Sequence, residues 1–348
     1  MNLAPLIETV QHNCHIADAR HARDLTMCNY LLEMREFYRW ECDMPFGMSP
    51  PREEISRWLT EREALWEQVA GDDFAAVPVS QQRFEPFDVA AINRALAPLG
   101  LVYGAGIGRF GRPHFFLGRL DRRESVDGLQ VVVIACEYAR DLAAIPAALQ
   151  GDTIIVRVEA LRQFLWEKAE AWGVKQAAGP MRRALECYGW FDDAAAALER
   201  MTTAEIASVI LHERGVLAAG RELGPEWEHM LSGFRERRAE ILARAVRDHL
   251  ADCLVTLPAL VERQSWAALH VWFANLEGMR RSLVPSLLAA GEAWVASGDV
   301  APIVAEARRG VGHWRTLARQ LLDIRRTDDA GAEARIAAMT ANLDVLAL

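Results

Sequence analysis

Apolar residues recur at intervals of three and four along the first forty positions, which is the spacing of one helix face. The seam runs through Cys14, His21 and Cys28, and neither proline nor glycine interrupts it between residues 6 and 44. The pattern therefore predicts one long helix over residues 5–40. A turn that contains both proline and glycine ends this helix, and a second helix is predicted over residues 53–70.

Between residues 78 and 172 short apolar runs replace the long helical periodicity. Runs bounded by glycine, proline and aspartate are typical of strands, and three- and four-residue spacing returns between them. Strands are predicted at residues 101–103, 113–120, 129–136 and 153–158, and helices at 89–99, 139–149 and 159–172. The segment is therefore expected to form a small α/β module whose first half is hairpin-like.

Beyond Gly173 the apolar spacing is helical throughout, and short segments rich in glycine, proline and aspartate separate the helices. The predicted helices cover residues 194–201, 203–214, 225–257, 265–282, 284–296, 300–323 and 330–346. Such short connections favour antiparallel packing of neighbouring helices. The expected fold is mainly α with a small α/β module, with the long N-terminal helix packed on a C-terminal antiparallel bundle. The predicted domains are residues 1–75, 76–172 and 173–348.

The composition describes an ordinary globular chain of 348 residues, with 51% hydrophobic and 25% charged residues and a net charge of −9. A duplex-binding protein normally carries a basic footprint, so we expect no nucleic-acid partner. The first residues lack a basic and an apolar signal region, and no apolar run reaches the length of a membrane span. Six widely spaced cysteines are typical of reduced thiols. We therefore expect a cytoplasmic protein without a membrane partner.

A glycine-rich segment follows the strand predicted at 101–103 and matches the pattern G-x-G-x-x-G. A dinucleotide fold needs a helix next, but the sequence predicts a strand, so that interpretation fails. Two interpretations stay open: a hairpin loop that needs positive φ angles, or an anion or nucleotide site built from main-chain N–H groups and guanidinium groups. The residues of the predicted anion site are Gly106, Gly108, Arg109, Gly111 and Arg112.

Polar residues on apolar seams are the main candidates for chemistry. His21 lies on the seam of the first helix one turn after Asp18, and His249 lies on the inward seam of a later helix near Asp252. A buried polar group needs a partner or an ion. If the two helices pack together, two imidazoles and two carboxylates suit iron, manganese or zinc.

An open coordination position on such a metal would permit Lewis-acid or water-activating chemistry. In this hypothesis His212 or Glu213 acts as the catalytic base. The alternative is that each histidine is an ordinary core residue bonded to Asp or Arg from a neighbouring helix, because large helical cores often contain such networks. A bare acid-x-x-His spacing does not decide the matter, since chance produces it at this composition.

The residues by themselves do not define an activity, so three hypotheses of different classes follow. The first is a metal-binding helical enzyme that acts on a small molecule. The second is a non-catalytic interaction or assembly factor, since eleven tryptophans and many arginines suit partner surfaces, including those of a homo-oligomer. The third is an anion or nucleotide binder that uses the glycine-rich hairpin. Arginine doublets such as Arg280-Arg281 are interpreted as solvated faces or as partners for acids in the same chain.

Residues 12–41 contain the segments DARH and YLLEMREFYRWE, and later segments are RDHLADC at 247–253 and HVWFANL at 270–276. In these segments the chain resembles an uncharacterised bacterial protein family, and the resemblance extends over most of its length. It implies no activity, cofactor or catalytic residue.

Overall fold

The computed structural model describes residues 2–126 and 128–348. Contacts group the chain into two compact units. Unit 1 comprises Met1–Pro146 and Ile155–Trp166, and unit 2 comprises Ala147–Ile154 and Glu167–Leu348. The domain boundaries predicted at residues 75 and 172 mark where helical segments give way to strands and back. The two units are instead defined by which residues contact one another.

Unit 1 combines helices with most of a β-sheet. Its helices are α1 Ala4–His21, α2 Met27–Glu41, α3 Arg52–Val69, α4 Val89–Leu96 and the first part of α5 Val158–Lys175. The strands of the chain are β1 Val77–Val79, β2 Gln82–Phe84, β3 Leu101–Ile107, β4 Pro113–Val126, β5 Leu129–Arg140, β6 Ala147–Gln150 and β7 Thr153–Arg157. β1 and β2 pair alone, and the others form a sheet of order β3-β4-β5-β7-β6.

The sheet of unit 1 is a hairpin array covered by α1. β3 pairs antiparallel with β4, with Tyr103 opposite Leu117, and β4 pairs antiparallel with β5. One face carries Tyr103 and Leu117 against Val10 and Cys14 of α1, in a cluster of buried apolar side chains. The predicted strands in this region are therefore confirmed, although β3, β4 and β5 each run further than predicted.

Unit 2 is helical apart from β6 and the start of β7. Its helices after α5 are α6 Pro180–Tyr188, α7 Ala194–Leu223, α8 Pro225–Gly233, α9 Arg237–Ala251, α10 Leu257–Glu262, α11 Trp266–Ala274, α12 Gly278–Ser282, α13 Pro285–Ser297, α14 Ala301–Thr327, α15 Ala332–Met339 and α16 Leu343–Leu346. A π-helical turn, Asp252–Thr256, joins α9 to α10. The core includes Trp227 and Trp314, both fully buried. The predicted fold class, mainly α with a small α/β module, is confirmed.

Two helix predictions in unit 1 are wrong, because side chains bind main-chain N–H groups that a continuous helix would use. The predicted helix 5–40 breaks after His21, where Thr26 accepts a hydrogen bond from the N–H of Asn29 and caps α2. The predicted helix 139–149 is absent. There the Asp141 carboxylate accepts from the N–H of Ala144, a residue with φ of +35°.

Two further corrections concern unit 2. The predicted end of a helix near Gly215 is wrong, because α7 runs through that residue. A Cβ atom at Gly215 would lie 2.5 Å from the main-chain oxygen of Ala251, so the glycine permits close packing of α7 on α9. The predicted helix 225–257 is interrupted after Gly233, and Glu236 caps α9 by accepting from the N–H of Ala239.

None of the helices formed by residues 2–126 and 128–348 combines the length and apolar character needed to span a bilayer.

Candidate acid–base site

The π-helical turn between α9 and α10 places a carboxylate inside unit 2. Pro258 has no N–H to donate to the preceding turn, and its ring crowds the carbonyl four residues earlier. The wider π turn over Asp252–Thr256 lets the helix continue through this proline instead of ending before it. Asp252, the first residue of the turn, is fully buried. A buried carboxylate must be paired, and its partners define the site.

Asp252 holds a histidine and an arginine with its two oxygens. His212 of α7 lies with Nδ1 2.9 Å from Oδ1 of Asp252, and Arg280 of α12 donates from Nη2 to Oδ2 at 2.6 Å. A carboxylate only accepts, so the proton of the neutral imidazole lies on Nδ1 and the lone pair on Nε2. The His212 side chain is 29% exposed, whereas that of Asp252 is 1% exposed. A buried carboxylate therefore anchors one nitrogen of a partly exposed ring.

The charges in this cluster support one another. Burial lowers the pKa of His212, but Asp252, Asp248 and Glu213 outweigh burial, and the pKa is raised above its ordinary value. Burial likewise opposes ionisation of Asp252, but His212 and Arg280 outweigh it and lower the pKa of that carboxyl. The carboxylate is thus ionised at neutral pH, and His212 is a stronger base than a free imidazole.

A second ion pair lies beside the first. Arg247 donates from Nη2 to Oδ1 of Asp248 at 2.9 Å, and Asp248 is buried one helical turn before Asp252. Burial opposes ionisation of Asp248, yet Arg247, His212 and Arg280 lower its pKa. Two carboxylates therefore face the site from α9 and the π turn, and each has its own arginine.

Glu213, the second predicted catalytic residue, follows His212 on α7. Burial raises the pKa of Glu213, and the neighbouring charges of His212 and Arg247 oppose that rise.

His249, predicted as a metal ligand, has packing contacts instead. Its Nε2 lies 3.0 Å from the main-chain oxygen of Arg280, so this nitrogen carries the proton and donates it. The ring stacks on Trp314 with centroids 4.8 Å apart. Burial and the nearby Arg280 lower the pKa of His249 to about 3, so the imidazole is neutral. These contacts hold the main chain of α12, from which the Arg280 side chain reaches Asp252.

Asp18 and His21, the other two predicted ligands, belong to unit 1. Both carboxylate oxygens of Asp18 lie 3.1 Å from the N–H of Leu142, and burial and the neighbouring Asp141 raise the pKa of Asp18. His21 ends α1 and lies 3.4 Å from a carboxylate oxygen of Asp24. No group of three or more His, Cys, Asp or Glu side chains in the described part of the chain is arranged to hold a metal ion. The four predicted ligands are not gathered into one centre there.

The glycine-rich segment forms the loop between β3 and β4. The N–H of Gly108 donates to the carbonyl of Arg112 at 2.8 Å, and a side chain at position 108 would collide with the ring of His114. Gly111 has φ of +68°, a conformation that favours glycine. The guanidinium of Arg112 donates to the carbonyl of His21. Hairpin geometry thus accounts for these glycines, and Gly106 pairs with His114 in the ladder. Anion binding through Arg109 and its neighbours stays a prediction.

Sequence reasoning identified His212, His249 and Asp252 but identified neither Arg280 as the partner of Asp252 nor Arg247 as the partner of Asp248. The doublet at 280 and 281 offered the only signal, and one of its two predicted roles, a partner for an acid in the same chain, applies to Arg280. Arg247 directly precedes Asp248, and adjacent residues of a helix do not share a face, so the spacing did not predict this pair.

Taken together, the fold defines a mainly α protein with a small β-sheet, and a His–Asp–Arg cluster around the buried Asp252 lies in its helical unit. The chain belongs to the family of unknown function DUF6866, whose N-terminal domain matches residues 5–157 and whose C-terminal domain matches residues 162–342. The resemblance to an uncharacterised family is therefore confirmed. No curated protein and no solved structure gives a significant match.

Proposed function

We propose that unit 2 carries an acid–base centre for a small-molecule substrate, in which Nε2 of His212 takes up and returns a proton. The observation that carries the proposal is the buried Asp252 carboxylate, which binds His212 and Arg280 with separate oxygens. A carboxylate behind Nδ1 sets the imidazole tautomer and stabilises the imidazolium that forms during proton transfer. Arg280 keeps that carboxylate ionised.

The contacts support a division of roles in this proposal. His212 is the catalytic residue, because its ring is anchored on one side and partly exposed. Asp252 and Arg280 are positioning residues that act through the ring. Glu213 adds negative charge beside His212, which favours the protonated imidazole. The reactions open to this arrangement are activation of water or of a substrate hydroxyl, and removal of a proton next to a carbonyl group.

Acylation of His212 tests the central claim without knowledge of the substrate. Diethyl pyrocarbonate reacts with an unprotonated, accessible imidazole nitrogen, and peptide mass spectrometry separates the nine histidines of the chain. We expect His212 to be acylated, with a pH profile whose midpoint lies above the ordinary imidazole value of about 6.5. The variant Asp252→Asn should lower that midpoint. His249 is the internal control and should stay unmodified, since its Nε2 is bonded and its ring is buried.

Two results would overturn the proposal. An unreactive His212 in the folded protein would mean that Nε2 is not accessible to a substrate. A profile unchanged by Asp252→Asn would mean that the carboxylate does not control the imidazole. Where His212 reacts as expected, a panel of small esters, lactones and ketones would be tested with the wild type and with His212→Gln, and only the wild type should turn over a substrate.

The divalent metal expected from the sequence is tested separately. Metal analysis of purified, tag-free protein and thermal melting with and without a chelator address it directly. Bound metal in stoichiometric amount, with a melting temperature lowered by the chelator, would support the metal hypothesis. A metal-free protein with unchanged melting would count against it.

We propose self-association through α2 as a second function, in line with the interaction hypothesis. Met27, Leu31 and Leu32 are 71%, 49% and 51% exposed and lie close together at the start of this helix. Neighbouring exposed apolar side chains of this kind are typical of an interface. Light scattering after gel filtration should show a dimer that Leu31→Glu converts to a monomer. The control Val345→Glu changes an exposed apolar residue outside α2, and a monomeric wild type would refute this function.

A further inference from the structure

An apolar pocket lies in unit 2 between α14 and the segment formed by the π turn and α10. Its volume is about 230 Å³. Leu254, Leu257 and Val261 line it from the π turn and α10, and Val304 and Val311 line it from α14. These side chains are spaced by three, four or seven positions within each segment, so each segment turns one continuous apolar face toward the pocket.

The pocket has a single charged residue among its described lining residues, Arg308 of α14. Burial raises the pKa of the Cys253 thiol to about 12, so this lining residue is neutral. Arg308 is exposed and has no ion pair or side-chain hydrogen bond with the described part of the chain. Its neighbour Arg309 differs, since Glu306 pairs with it at 2.5 Å. The residues one turn from Arg308 on α14, at 304, 305, 311 and 312, are uncharged.

We propose that this pocket binds a small carboxylic acid, with the apolar chain between α10 and α14 and the carboxylate on the Arg308 guanidinium. An apolar cavity with one unpaired cation at its edge complements a ligand that has an apolar body and one anionic end. Guanidinium and carboxylate groups form charge-assisted hydrogen bonds in matching planar geometry. The site is distinct from His212, and the proposal does not depend on the acid–base function.

The volume guides the choice of probe. An apolar cavity of about 150 Å³ accepts benzene, with six carbons, so a pocket of about 230 Å³ suits a group of roughly eight carbons. Octanoate is therefore the probe. Octan-1-ol has the same chain without the charge, and acetate has the charge without the chain.

Isothermal titration of the full chain at low ionic strength measures the three probes. We expect octanoate to bind, octan-1-ol to bind about tenfold more weakly, and acetate to show no binding, because one partly hydrated charge-assisted hydrogen bond corresponds to about that factor. Arg308→Gln should weaken octanoate binding about tenfold and leave octan-1-ol binding unchanged. The matched control is Arg319→Gln, which removes an exposed arginine of α14 that does not line this pocket.

A third variant tests the location of the chain. Val311 is half-buried in the pocket wall, and Val311→Phe should fill the space and abolish binding of both eight-carbon probes. Thermal melting first establishes that each variant is folded, and Arg308→Gln serves alone if Val311→Phe is not. Absence of octanoate binding would overturn the proposal. So would equal affinities for octanoate and octan-1-ol, or octanoate binding that survives both substitutions.

Discussion

Replacement of Asp252 by asparagine tests whether the buried cluster of unit 2 is held together as the contacts indicate. The amide keeps the size of the carboxyl group, and its oxygen still accepts the Nδ1 proton of His212. Its NH₂ group, however, meets the guanidinium of Arg280, so two donors face each other where an ion pair stood at 2.6 Å. The substitution thus removes the charge without creating a cavity.

The expected loss of stability is about 3 kcal/mol. Removal of one partner from a buried ion pair is destabilising by about 3–5 kcal/mol, because the other charge stays without compensation. The lower end applies, since the Arg280 and His212 side chains are 28% and 29% exposed and water screens part of the effect. With a urea slope of about 2 kcal/mol per molar, the midpoint should fall by about 1.5 M.

Urea unfolding followed by tryptophan fluorescence measures this shift, since Trp314 stacks on His249, whose ring contacts the main chain of Arg280. The difference between wild type and variant depends on pH in two ways. The lowered pKa of Asp252 contributes stability above the unfolded value of about 3.8, and this contribution is lost as the pH falls through the folded value. The raised pKa of His212 contributes stability below about 6.5, and this is lost as the pH rises through the folded value.

The difference should therefore be largest between about pH 4 and pH 6.5 and smaller on either side. Asp323→Asn is the control, because Asp323 is exposed and pairs with Arg326 at 3.2 Å on the surface. It should shift the free energy of unfolding by less than about 1 kcal/mol. A shift for Asp252→Asn no larger than that of the control, or one that does not vary with pH, would refute the reasoning.

Other substitutions test the packing and the thiols. Gly215→Ala should lower the free energy of unfolding by about 1–3 kcal/mol, because the new Cβ would lie 2.5 Å from a main-chain oxygen of α9. Gly312→Ala, with open space around it in α14, should instead raise it by up to about 1 kcal/mol in the same urea assay. In His212→Gln the decline in wild-type stability as the pH rises above about 6.5 should disappear, and its persistence would assign that decline to another group. Titration with a thiol reagent should label the exposed Cys28 rapidly in the native protein and Cys253 only on unfolding, and rapid labelling of Cys253 would contradict its burial.

Local patterns in the sequence predicted most elements but few of their ends. Helix α3 and strands β4 and β5 follow from the placement of apolar residues alone: α3 buries one face, and β4 and β5 bury consecutive side chains over residues 115–118 and 131–134. The failures have a common cause. Thr26 and Asp141 give hydrogen-bond acceptors to nearby N–H groups, and apolar periodicity does not register these bonds. Two predicted helix ends were also wrong. The helix continues through Gly215 because the glycine permits close packing, and it continues through Pro258 because a π turn precedes the proline.

The candidate site was only partly predictable, for a related reason. The position of polar residues on or beside apolar seams indicated His212, His249 and Asp252 from the amino-acid pattern. The seam shows that a polar group needs a partner but not which partner it finds. Arg280 comes from a helix 28 positions further along the chain and reaches Asp252 through packing alone. The different roles of the two histidines follow from the atoms their ring nitrogens meet, a carboxylate for His212 and a carbonyl for His249.

The amino-acid sequence alone determined that this chain is mainly helical with a short sheet-forming segment, because the spacing of apolar residues and the placement of glycine and proline act within a few positions. Tertiary structure decided which polar groups face one another, how two helix breaks were bridged, and that a histidine, an aspartate and an arginine meet in unit 2. Those outcomes depend on contacts between residues distant in sequence, and the energy of a buried charge is set by the partner it meets there.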